Sequence, residues 1–206
     1  MSNLLNIEGN SSLLILAPHT IFLKRNNEVH IPELFIKRIA KKLYRMFNIR
    51  IITWKEKPNK NEVKYLDPNY LKKNYLKNSI WFKKISEYAP NTNLMIDIHG
   101  MKDTHNCDII FGLESIKKFL GIEEYGKYEL LINLYFSTFA KKYNLNILIN
   151  KKFKGYISKN IYTLSSSGCS LGIPSIQIEI SKSFRKILAN DNKVLEDFGE
   201  CLLKLL

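Results

Sequence analysis

Residues 94–100 read LMIDIHG, an apolar run carrying one aspartate, then a histidine and a glycine. Successive side chains of a strand point to opposite faces. Met95, Asp97 and His99 therefore share one side, with His99 last and Gly100 freeing the turn beyond it. A second run, LLILAPH at 13–19, ends the same way, and its Pro18 stops strand pairing just before the histidine. A third, SIQIEI at 175–180, alternates so that Gln177 and Glu179 share a face. A carboxylate inside such a run is costly to bury unless it is paired, metal-bound or catalytic.

Working outward, PELFIKRIAKKLYRMF at 32–47 predicts an amphipathic helix with Pro32 at its start and Leu34, Ile36, Ile39, Ala40, Leu43 and Phe47 on its apolar side. Strands are expected at 12–17, 49–54, 94–99, 107–112, 146–150 and 175–180. A polar segment at 55–68 leads to a lysine-rich helix over 69–88. A long helix over 124–143 is expected to pack by Leu130, Leu131, Leu134, Phe136, Phe139 and Ala140, and a last helix over 191–206 by Val194, Leu195, Phe198, Leu202 and Leu205. Residues 164–172 read as a Ser/Gly loop. Apolar strands alternating with helices make an α/β sheet covered on both faces, and sites in such sheets gather at the carboxyl ends of strands.

The 206 residues, 45% of them hydrophobic, suffice for one buried core, and no linker, low-complexity block or repeat divides them, so 1–206 reads as a single domain. The N-terminus lacks the positive region of a signal peptide, and no apolar stretch approaches the roughly 20 residues of a membrane span. Cys107, Cys169 and Cys201 are odd in number, far apart and free of any C-x-x-C, which argues against a disulfide framework or a cysteine zinc site and for the cytoplasm. The net charge of +13 invites a nucleic-acid reading. The lysines are spread along the whole chain, however, which favours a solvated surface and disfavours nucleic acid as a partner.

The chain has four histidines, and two of them, His19 and His99, close apolar strands. Two imidazoles at neighbouring strand ends can share a metal. Two neutral histidines, one carboxylate and an open position describe a hydrolytic zinc site, with a further glutamate for proton transfer. Asp97, on the His99 side, suits either the outer ring nitrogen of that histidine or the metal itself. Asp103, His105 and Asp108 follow in a polar loop that can line the same mouth.

APHT at 17–20, DIHG at 97–100, F-x-G-Y at 153–156 and IQIEIS at 176–181 together resemble the N-formylglutamate amidohydrolase-like proteins, related in fold to zinc carboxypeptidases and aspartoacylases. The resemblance spans about 12–187. It implies a three-layer α/β/α sandwich around a mixed central sheet, of the phosphorylase/hydrolase-like kind, with one Zn2+ per chain. It also implies hydrolysis of an amide bond in a small N-acyl amino acid or peptide. By the motif match His19 and His99 are metal ligands, and Glu179 is the general base that then protonates the leaving amine.

The carboxylate ligand departs from the pattern. Zinc carboxypeptidases carry H-x-x-E, whereas Thr20, Ile21 and Phe22 follow His19. Glu28 and Glu33 are the candidates, Glu33 favoured because it opens the first helix, with His30 a weaker substitute. The family's D-x-N-R segment reads DPNY here, keeping Asp67 and Asn69 but ending in Tyr70. Arg185 or Lys154 can take the anion-binding role instead, Arg185 also as stabiliser of a developing oxyanion. Asn69, Lys154, Tyr156 and Gln177 complete the candidate substrate-binding set. Two alternatives stand beside the hydrolase: a basic nucleic-acid-binding protein, and a degenerate relative that keeps the fold without catalysis.

Overall fold

A computed structural model describes residues 3–206. In chain order the strands are β1 (Leu4–Ile7), β2 (Leu13–Ala17), β3 (Leu23–Arg25), β4 (Glu28–His30), β5 (Arg50–Trp54), β6 (Tyr65–Leu66), β7 (Leu71–Lys72), β8 (Leu94–Met101), β9 (Ile109–Gly112), β10 (Ile147–Ile149), β11 (Ile161–Tyr162) and β12 (Ser175–Ser181). The α-helices are α1 (Ile36–Phe47), α2 (Ile80–Tyr88), α3 (Glu114–Phe119), α4 (Ile122–Tyr143), α5 (Leu164–Ser170), α6 (Lys182–Asn190) and α7 (Asn192–Leu203).

Seven strands form one mixed sheet in the order β1-β5-β2-β8-β12-β9-β10. The run β5-β2-β8-β12 is parallel throughout, whereas β1 is antiparallel to β5, and β9 to β12. Parallel neighbours need crossovers, and the crossovers put helices on both faces. One face of β2, β8 and β12 presents Leu13, Ile15, Ile96, Ile98, Ile176 and Ile178 to α1, α4, α6 and α7. On the other face Leu14, Leu16 and Met95 meet Trp81 and Ile85 of α2 and Leu164 of α5. The result is the expected α/β/α sandwich with a mixed central sheet. No helix among the described residues is long and apolar enough to cross a membrane.

The period of two holds where it matters. β12 pairs with β8 in register, Gln177 opposite Asp97 and Glu179 opposite His99, while Leu16 of β2 also lies opposite Asp97. The polar side chains of two adjacent central strands thus form one stripe on the α2/α5 face, at the carboxyl end of the sheet.

Several expected elements differ. The first helix begins at Ile36, not Pro32, because Phe35 takes a left-handed conformation (φ 72°) and the Glu33 N–H donates to His19 O (2.8 Å). Leu34 is consequently 56% exposed. The helix expected over 69–88 breaks into β7, a 3₁₀ segment (Lys73–Asn78) and α2, whose start is capped by Ser79 accepting from Phe82 N. The Ser/Gly stretch is a buried helix, α5: Thr163 caps it, and a Cβ on Gly168 would lie 2.2 Å from Ser175 Oγ, so only a side-chain-free residue seats it on the sheet. In α4 the buried side is Tyr128, Ile132, Phe136 and Phe139, while Leu130 and Leu134 face solvent.

Candidate metal centre and active site

Because β2 and β8 are parallel neighbours, their ends bring His19 and His99 together, with ring centroids 4.5 Å apart and Nδ1 atoms 3.0 Å apart. Glu33, in the turn between β4 and α1, completes the group. Its Oε1 lies 2.7 Å from His19 Nδ1, and its Oε2 accepts from Gly100 N (2.9 Å) while lying 3.6 Å from His99 Nδ1. One donor atom from each of His19, Glu33 and His99 falls within 4.8 Å of the others. Of the two glutamate candidates the structure brings Glu33 to the histidines; Glu28 is exposed on β4.

The outer ring nitrogens meet carboxylates. His19 Nε2 is 2.9 Å from Asp67 Oδ1, and His99 Nε2 is 2.9 Å from Asp97 Oδ1. The second contact has ion-pair distance without hydrogen-bond alignment, and neither Asp97 oxygen, both fully buried, has a hydrogen-bond partner among the described residues. Asn69 holds the same imidazole: Leu164 N donates to its Oδ1 (2.5 Å), which turns Nδ2 to within 2.9 Å of His99 Nε2. At His19 the hydrogen-bonded Asp67 carboxylate at Nε2 favours the tautomer with its proton there, leaving the Nδ1 lone pair for a cation.

The same carboxylates make the pocket seek positive charge, whether a proton or a metal ion. Burial opposes protonation of His19, but the Glu33 and Asp67 carboxylates outweigh it and raise the group to about 9. His99 is likewise raised, the Asp97 and Glu33 carboxylates overcoming burial. Burial would raise Glu33, yet the two imidazoles hold it below the usual carboxylate range. The carboxylates of Glu33, Asp67 and Asp97 around two imidazoles, with orphaned oxygens on the buried Asp97, make a strongly cation-seeking pocket, and the N/N/O donor set suits a divalent metal such as zinc. The His30 ring lies tilted against His19 with centroids 4.2 Å apart, and its Nε2 stays 4.0 Å from Glu33 Oε1, which leaves it beside the group and not in it.

Glu179 faces the same cavity from β12. It accepts a hydrogen bond from Gln177 Nε2 (2.8 Å), and burial pushes its carboxyl up to about 7. The cavity, about 670 Å³, is also lined by Asn69, Lys154, Tyr156, Gln177 and His105. The segment carrying Lys154 and Tyr156 is pinned at Gly155, whose carbonyl accepts from Ser115 Oγ (2.5 Å) and Thr163 Oγ1 (2.6 Å). Asp103 and Asp108 lie elsewhere, Asp103 bonding Ser183 at the start of α6 and Asp108 accepting from Asn146 N.

Arg185, expected to grip a substrate carboxylate, is not on the cavity wall. It is 5% exposed behind Gly100, where its Nη1 donates to Leu34 O (3.0 Å) and its Nη2 to Met101 O (3.1 Å). It ties the Glu33 turn to the end of β8. Asp67 and Arg25 escaped the sequence reading as site residues. Asp67 had a signal in DPN, and Arg25 sits beside Asn26-Asn27, a pair suited to a tight hairpin.

Fold and site together define an α/β/α sandwich around a mixed central sheet, with a His-Glu-His group gathered at the carboxyl end of its central strands. No protein-family model matches the chain, and no curated protein matches it in sequence. Solved structures do. A bacteriophage poly-gamma-glutamate hydrolase is similar with a TM-score of 0.57 at 13% identity, over 98% of this chain and 86% of the other. Succinylglutamate desuccinylase from Chromobacterium violaceum gives 0.52 at 10% identity, over 99% of this chain and 67% of the other. The gene product Atu2144 of Agrobacterium tumefaciens gives 0.51 at 11%, over 97% and 93%. At such identities the likeness is one of fold.

Proposed function

We propose that the chain is a single-domain, zinc-dependent hydrolase that cleaves an amide bond of an N-acyl amino acid or peptide, in the manner of the N-formylglutamate amidohydrolase-like group. The observation that carries this reading is the convergence of His19, Glu33 and His99, from three separate segments, on one buried point beside Glu179. These three side chains would hold the metal. When bound, it supplies Lewis acidity that polarises a carbonyl and eases the ionisation of water.

The chain's own residues do the rest. Glu179 takes the proton of the attacking water on its carboxylate and delivers it to the leaving nitrogen. A carboxyl held near 7 by burial can both accept and release that proton close to neutrality. Gln177 fixes one Glu179 oxygen, Asn69 holds the His99 ring at Nε2, and Asp97 sets a negative charge beside that ring. Arg185 acts as a positioning residue for Glu33. Lys154 and Tyr156 border the space left for substrate. The names of two fold neighbours both contain glutamate, which supports an acidic acyl-amino acid or γ-glutamyl substrate. Three buried, unpaired cysteines suit a reducing cytoplasm.

The test begins with metal content of untagged wild type, His99→Ala and Glu179→Gln, then hydrolysis of N-acyl glutamates and γ-glutamyl peptides. We expect about one zinc per chain in wild type and Glu179→Gln, and little in His99→Ala. Turnover should fall about 10²–10⁴-fold in Glu179→Gln. A wild type that cannot be loaded with metal, or a Glu179→Gln protein of full activity, would sink the proposal.

A further inference from the structure

Arg25 ends β3 at the hairpin turn made by Asn26 and Asn27, both with positive φ (48° and 68°). Its Nε donates to Asp67 Oδ2 (2.5 Å), and its Nη2 pairs with the same oxygen. Among the described residues nothing accepts from its Nη1. The guanidinium lies 5.9 Å from the Tyr70 ring centroid, and its side chain, 35% exposed, lines the cavity that holds His19, His99 and Glu179. Lys102 and Lys154 line that cavity too, and the carboxylates on its wall are Glu33 and Glu179, both turned to the catalytic end.

We propose that Arg25 is the anion grip of this cavity, binding a substrate carboxylate through its free Nη1 edge, with Lys102 and Lys154 as outer cations. The ligand class is a carboxylate-bearing acyl chain, and substrates with two or more carboxylates gain most. A guanidinium already anchored on one edge loses little side-chain freedom when the other edge binds, unlike the two exposed lysines. A bond between charged partners is also the strong kind. The inference rests on the proposed hydrolase only in calling the ligand a substrate, because the contact itself needs no metal.

Glutarate, with the neutral diamide glutaramide as control, would be titrated into wild type, Arg25→Met and Arg25→Lys, each zinc-loaded and metal-free. Zinc content and melting temperature are measured on the same samples. Arg25→Met should keep its zinc and bind glutarate about tenfold or more weakly in both forms, with Arg25→Lys in between and glutaramide unaffected. Equal glutarate affinity in wild type and Arg25→Met, or no glutarate binding by wild type, would overturn the assignment. Loss of zinc from Arg25→Met would also overturn it, showing that the arginine acts through Asp67 on His19. If Arg25→Met melts early, Arg25→Lys, which keeps the charge but not the fork, carries the comparison. A wild type that takes no zinc yet loses glutarate with Arg25 refutes the hydrolase and leaves the anion site standing.

Discussion

Asp97 has no solvent exposure, its two oxygens lack hydrogen-bond partners among the described residues, and its Oδ1 lies 2.9 Å from His99 Nε2. A buried carboxylate is tolerated when a positive charge answers it. Replacing Asp97 by Asn should therefore lower zinc affinity by about 10–100-fold while the fold persists, measured by competition with a chromophoric chelator. Unchanged affinity would remove Asp97 from the metal's support. Asp97 and His99 were legible because strand parity puts them on one face of β8, and Glu179 because a carboxylate stands out in an apolar strand; that the two strands turn these side chains to the same face came from their register. Glu33 was narrowed to a choice of two, since nothing local says which glutamate a turn will fold back toward a histidine 14 residues earlier. Asp67 and Arg25 were not legible as a pair, because their meeting spans 42 residues and depends on where β3 lands.

At the scale of elements, the central strands and most long helices could be read, because apolar periodicity reports burial directly. The failures have separate causes: Phe35 turns left-handed ahead of α1, Leu130 and Leu134 of α4 face solvent, and in α5 polar side chains find partners inside the fold. α5 is rich in serine, a residue that competes with helix formation, yet Ser166 Oγ meets Ser115 Oγ of α3 (2.9 Å) and the helix packs flush on β8 and β12 through Gly168. Gly168→Val should cost about 1–3 kcal/mol by overpacking against Ser175 and Met95, read as a shift of the urea midpoint. The clamp made by α6 is equally direct. Arg185→Met leaves the carbonyls of Leu34 and Met101 without their side-chain donor. We expect a loss of about 1–3 kcal/mol in denaturant unfolding, together with weaker zinc binding because the Glu33 turn is released. Stability lost with zinc affinity intact would confine Arg185 to the core.

For the whole molecule, a metal that binds only the folded chain stabilises it by mass action. Zinc at about 100 times its dissociation constant adds about 2.7 kcal/mol, or about 5–10 °C in melting temperature for a chain of this size. Calorimetry with and without a chelator checks this, and coincident melting curves would speak against a metal centre. The in-register pairing of β12 with β8 has one more consequence. A slip of that pairing by a single residue would bring Ile178 or Ile180 opposite His99 and drive Glu179 into the apolar layer under α6. Such a slip is all-or-none, and the isoleucines that forbid it are the ones that fill the core. The placement of Glu179 opposite His99 is thus a digital property: that carboxylate has no half-placed setting that a folded molecule can occupy.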